Sequence, residues 1–129
     1  MGALAVSSHY PEARADVFRC TWTRSGDTSV VYVAGEVDLA SAHLIVDHVA
    51  AAVLDHSPWV VIDLRRVTFL DSVGVDALLA ARDLAVAAGG TLRIAGAGPL
   101  VLKVLRLTEV DLQFYPYRYI AEARPRARR

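Results

Sequence analysis

The run WVVIDL, residues 59–64, sets five apolar residues and one acid in a row without polar alternation. Such a run suits a strand buried on both faces, as in a parallel sheet, better than a strand with one wet face. It leads through RRVTFL to Asp71-Ser72-Val73-Gly74. It then enters GVDALLAARDLAVAA, whose apolar spacing is helical and which stops at Gly89-Gly90. A buried parallel strand needs a crossover to its neighbour, so the chain must supply helices and further strands around it.

It does. VFRCTWTR and TSVVYVAGE are strand-like runs separated by Ser25-Gly26-Asp27, a turn signal that predicts a hairpin. LASAHLIVDHVAAAVL changes period: Ala42, Ile45, Val46, Val49 and Val53 mark one helix face, and Ser57-Pro58 ends it. TLRIAG predicts another strand. Pro99 then opens a third helix, LVLKVLRL, with Thr108-Glu109 at its exit. LQFYPY predicts a short aromatic closing strand, with Pro116 at an edge or an end. A hairpin followed by alternating helices and strands predicts an α/β fold with a mixed β-sheet and right-handed crossovers.

At 129 residues and 54% hydrophobic composition, the chain suits one domain with a single core, and no repeat or linker divides it. We expect a loose N-terminal segment over residues 1–16, the domain over 17–120 and an Arg-rich tail over 121–129. Arg124, Arg126, Arg128 and Arg129 face one acid there, Glu122, and read as a solvated tail rather than a docking arm for RNA or lipid.

Fourteen basic and 14 acidic residues balance, so no global field points to nucleic acid or an anionic surface. Cys20 is the only cysteine, which excludes an internal disulfide and fits an intracellular location. Alternation in VFRCTW makes it a small core residue, with no neighbouring base to activate a thiolate. MGALAVSSHYPEARAD lacks the basic start of an export signal, and charges interrupt every apolar run before membrane-spanning length. The expectation is a soluble, cytoplasmic protein that binds neither membrane nor nucleic acid directly.

Crossover folds gather functional groups where strands end and helices begin. Three such loops exist: residues 35–38, 68–74 and 96–99. The first two carry carboxylates and a hydroxyl. The third, Gly96-Ala97-Gly98-Pro99, lacks the third glycine of a dinucleotide fingerprint and reads as a turn. Asp71 and Ser72 are both favoured helix N-caps. Ser72 is also placed to accept a phosphate, which free N–H groups and the helix dipole would stabilise. His43 and Asp47 share a helix face, but a metal would need ligands from elsewhere, so a solvated face is expected and no metal or cofactor. No triad, paired catalytic acids or Cys–His motif stands out, which argues against an enzyme.

In this order, three stretches resemble the STAS domain of bacterial anti-sigma factor antagonists, spanning roughly residues 17–117. They are VYVAGEVDLASA, VVIDLRRVTFLDSVGVDALL and GGTLRIAGAGPLVLKVLRLTEVDLQF. The resemblance implies a module that binds an anti-sigma factor serine kinase and thereby frees a sigma factor, touched only indirectly. It implies that Ser72, directly after Asp71, is phosphorylated by that kinase and that the modification ends binding. It also implies that Asp38 lies beside Ser72, and that the partner surface comprises Asp38, Asp71, Ser72, Val73, Gly74 and Asp76. Val73 stands where the family usually has Ser, Thr or Ala, and Asp76 replaces a small residue. The alternative is a STAS interaction subunit of a transporter or sensory complex in which Ser72 is never phosphorylated.

Overall fold

The described residues begin with a hairpin. In the computed structural model, which describes residues 17–114 and 116–124, β1 (Arg19–Ser25) and β2 (Thr28–Val37) pair antiparallel, with Ser25 opposite Thr28. Strand β3 (Trp59–Leu70) runs parallel to β2, and β4 (Thr91–Ala95) runs parallel to β3. The sheet is mixed, in the order β1-β2-β3-β4. Helices α1 (Ala42–Leu54) and α2 (Ser72–Ala87) make the two crossovers, and α3 (Pro99–Leu107) follows β4. Two single turns close the described chain: α4 (Asp111–Phe114) and α5 (Ile120–Ala123). The α/β architecture anticipated from WVVIDL is the one observed.

Alternation along each strand builds two unequal layers. Cys20, Val31, Val33, Val60, Ile62, Leu64, Leu92 and Ile94 point to one side, where they meet Ile45 and Val49 of α1, Leu78 and Ala81 of α2, and Val101 and Leu105 of α3. On the other side Val30, Val61 and Ala95 form a small cluster with Ala123 of α5. No described helix is long and apolar enough to cross a membrane.

Several boundaries differ from the sequence reading. Strand β3 continues six residues past WVVIDL to Leu70. The arginine pair looked like its end, yet the chain there pairs with β2 and only one of its faces is covered. Helix α1 starts at Ala42, not Leu39, because Ser41 Oγ donates to the Glu36 carbonyl (2.8 Å) and the Asp38 carboxylate accepts from Ala40 N (3.0 Å), folding those residues into a turn. The expected strand LQFYPY is absent. Phe114 is fully buried on the helical turn α4, and Tyr117 makes a single parallel bridge to Ala95. Burying one large ring from a helical turn outweighs the strand preference of that run. Packing also runs past residue 120, where we placed the start of the tail, to the buried Ala123. The segment 1–16 and the arginines from Arg126 onward lie outside the described residues.

Candidate functional site

The register of β2 and β3 brings two helix starts together. Val37 is opposite Leu70, and because these strands are parallel the residues that follow, Asp38 and Asp71, leave the sheet at the same end. Asp71 N donates to the Val37 carbonyl at 3.4 Å, extending the ladder to the foot of α2. The register shifts between Gly35 and Glu36, and Gly35 takes a φ of 95°, a conformation that a side chain would strain.

Beyond that irregularity the 36–42 loop is tightly bonded. The Asp38 carbonyl accepts from Ser41 N (3.1 Å) and Ala42 N (2.8 Å), while Asp38 N donates to Ser41 Oγ at 3.1 Å. Ser41, formally at the cap position of α1, makes no capping bond, so Asp38 and Ser41 instead brace each other and the Glu36 carbonyl. This rigidity holds Leu39 out at the tip, 79% exposed.

At the second helix start the two capping candidates have separate roles. The Asp71 carboxylate accepts from Gly74 N at 3.0 Å and is the N-cap of α2. Ser72 is the first helical residue, exposed, with a hydroxyl that makes no hydrogen bond among the described residues. Its flanks Leu70 and Val75 are buried. Gly74 is buried for a steric reason: a Cβ there would lie 3.0 Å from Val37 Cγ1 and closer still to Leu70 Cδ1. The missing side chain lets the first turn of α2 settle onto the strand ends. Val73 is half-buried against the main core, so its bulk faces inward. Asp76, four residues after Ser72, shares its exposed helix face.

The arrangement is an accessible, unbonded hydroxyl at a helix N-terminus, at the end of the sheet that also carries four carboxylates: Glu36, Asp38, Asp71 and Asp76. None of the four is in an ion pair among the described residues. The structure brings Asp38, Asp71, Ser72 and Asp76 to one end of the sheet, while Val73 and Gly74 form its packed underside. Two apolar residues to which the sequence reading gives no role also stand there. Leu39 adjoins Asp38, and Phe69, 41% exposed, pairs with Glu36. The sequence reading puts Leu39 in the first helix and Phe69 inside the 68–74 loop without a role; the signal for both is an apolar residue within two positions of a turn-forming acid.

The remaining candidates stand apart. His43 and Asp47 are exposed on α1, and no group of three or more His, Cys, Asp or Glu side chains suited to a metal occurs among the described residues. Cys20 is buried, and desolvation, helped by the Asp47 charge, pushes its thiol up to about 12. That keeps it protonated and unreactive at neutral pH.

Residues 20–114 match the protein-family model described as "Mlab, STAS domain". The solved anti-sigma factor antagonist from Mycobacterium paratuberculosis is 31% identical, with a TM-score of 0.73 over 84% of this chain and 92% of that one. The Bacillus cell fate determinant SpoIIAA in its phosphorylated form is 20% identical, with a TM-score of 0.62, 83% of this chain and 96% of that chain being covered. A segment of murine solute carrier 26 family member A9, an anion transporter, is 15% identical with a TM-score of 0.67; it covers 78% of this chain and 18% of the transporter. At these identities the last two likenesses bear on the fold alone. No curated protein matches the sequence.

Proposed function

The chain belongs to the STAS domain family of anti-sigma factor antagonists, and on that premise we propose that it binds an anti-sigma factor serine kinase, releases a sigma factor and is switched off by phosphorylation of Ser72. The observation that carries this reading is the exposed, unbonded Ser72 hydroxyl beside the braced Asp38 loop. A kinase can reach such a hydroxyl without first breaking a cap, because Asp71 holds the helix start.

Two opposed terms act on the product. The unbonded N–H groups of Ser72 and Val73 and the helix dipole favour a phosphate there. The carboxylates of Asp38, Asp71 and Asp76 oppose it, and the phosphate in turn opposes a partner that has docked on an uncharged serine. Leu39 and Phe69 supply apolar contact area at the rim of the same surface. A dianion added among them disrupts a desolvated contact, and each ~1.4 kcal/mol lost is tenfold in affinity. The protein acts in the cytoplasm in this reading, needs no cofactor of its own and catalyses no reaction.

The test mixes the protein with its host's anti-sigma kinase and ATP, following phosphate incorporation and complex formation together. Wild type should take up one phosphate and leave the complex. Ser72→Ala should bind and stay, and Ser72→Glu should bind at least tenfold more weakly. Binding without phosphate uptake would instead favour a second reading, an unmodified interaction subunit of a transporter or sensory complex. Asp76 on the face of Ser72 favours it, since it sets a fixed negative charge near where the phosphate would go.

A further inference from the structure

The sheet face away from α1 and α2 is only partly covered. Helix α5 caps Val30, Val61 and Ala95, and beyond it toward the strand C-termini lies a cavity of about 260 Å³. Its polar lining is Arg19 and Thr21 from β1, Tyr32 from β2, and Asp63, Arg65 and Arg66 from β3.

A register shift places two of these arginines. Tyr32 pairs with Asp63, but Ala34 pairs with Arg66, so Leu64 and Arg65 together oppose Val33 alone. Strict alternation would send Arg66 to the same side as Leu64, into the main core. The extra residue rotates the strand instead: Leu64 is fully buried while Arg65 and Arg66 are both exposed, in succession, toward the open face.

Asp63 is the one acid in the lining, and it is spent on Arg65. Its carboxylate, buried with the residue only 5% exposed, receives Arg65 Nε at 3.0 Å, Nη2 at 2.8 Å and the Arg65 backbone N at 3.0 Å. That fork fixes the guanidinium plane while leaving the arginine side chain 58% exposed. Arg19 Nε is buried with no hydrogen-bond partner, and Arg66 has none among the described residues. Three guanidiniums against one carboxylate leave a net charge of about plus two, at a site walled by sheet backbone and a phenol.

A buried, unpaired guanidinium nitrogen is costly unless something polar meets it. We propose that this cavity binds a phosphomonoester dianion, with Arg19 and Arg66 as its principal ligands and Arg65 held in position by Asp63. The volume supports a small group: it is below the roughly 300–1,000 Å³ of pockets that enclose drug-sized ligands. Two negative charges match the net charge of the lining, and guanidinium forks fit phosphate oxygens. Free phosphate and the headgroup of phosphatidic acid share this chemistry. The site lies on the sheet face, away from the Ser72 hydroxyl, and does not rest on its phosphorylation.

The experiment uses the full chain at low ionic strength. Calorimetric titration with inorganic phosphate, and cosedimentation with phosphatidylcholine vesicles containing phosphatidic acid, distinguish the two sources. Saturable binding of one phosphate per chain is expected, weakened at least tenfold by Arg66→Gln and by Arg19→Gln, and less by Arg66→Lys. Ser72→Ala should bind as wild type does. Thermal unfolding of each variant checks that the fold survives; Arg66 is exposed, so its substitution should leave the melting temperature in place even if Arg19→Gln lowers it. Arginine-dependent binding to vesicles but not to free phosphate still supports the site and assigns the headgroup as its source. No saturable binding in either arm, or binding that Arg66→Gln leaves unchanged, overturns the proposal.

Discussion

The two faces of the sheet are made from alternate residues of the same strands, yet they are covered in different ways. Val60 is 2% exposed and Val61 is 1% exposed, so accessibility does not tell them apart. What covers them does. Val60 belongs to the core closed by α1, α2 and α3, and Val61 to a small cluster closed by the single turn α5. Long helices cannot collapse into a gap as readily as one turn can, so equal burial should not mean equal energetic weight.

The strongest way to break that contrast is the same substitution on both faces. Val60→Ala should destabilise by about 2–3 kcal/mol: two methyl-sized groups at ~0.8 each, plus a cavity that three helices hold open. Val61→Ala should cost about 1.5 kcal/mol, the transfer term alone, because α5 relaxes inward. Urea denaturation reads both midpoints, and equal shifts would refute the asymmetry.

Cys20 sharpens the contrast from the well-covered face. Its folded value of about 12 lies above the ordinary 9.0, so the folded chain keeps a proton that the unfolded chain gives up. The associated stability is complete below pH 9 and is lost as pH rises through that window toward 12. By pH 10 the loss should be about 1 kcal/mol, and Cys20→Ala should remove this part of the pH dependence. Native protein should also resist alkylation at pH 8, and rapid labelling of the folded chain would contradict the burial argument.

The smallest effects belong to the rim where the two faces meet the helix starts. Asp71→Ala should cost about 1 kcal/mol, and Ser72→Ala should stay within about 0.5 kcal/mol of wild type. Parallel melts of the two variants decide it. A larger loss from Ser72→Ala would mean that the serine, and not the aspartate, caps the helix in solution.

This same contrast explains which parts of the structure the sequence disclosed. The first half of β3 is buried on both faces, and WVVI announces it with an unbroken apolar run. Its second half has one face open, so Arg65 and Arg66 looked like the strand's end while Val67 and Leu70 continued the buried side. The Asp71-Ser72-x-Gly74 corner was legible because a cap and a residue without a side chain leave local marks. Which of the two polar residues makes the cap was not, since both have the chemistry and only backbone geometry decides. Leu39 and Phe69 escaped because an apolar residue near a helix start is ordinarily core. Leu39 is exposed because the bonds of Asp38 and Ser41 hold the loop away from α1, and Phe69 because the end of β3 is covered on one face only. Phe114 misled the strand reading because its burial depends on the turn formed by Val110 N and the Leu105 carbonyl (3.1 Å), which no run of aromatics encodes.

The mismatch between the 12 residues of β3 and the five of β4 has a kinetic consequence. β4 ends opposite Asp63, so from Leu64 to Leu70 the middle strand is laddered on the β2 side alone. Along that stretch the amides facing β2 join a ladder broken by two register shifts, and the others meet no strand, Arg65 N donating instead to the Asp63 carboxylate. Deuterium uptake there should therefore be uneven, with laddered amides exchanging only on larger openings and the unladdered ones, Arg65 excepted, by local fluctuation. The strand that carries the arginine cavity and ends at Ser72 would thus be firm along one edge and loose along the other.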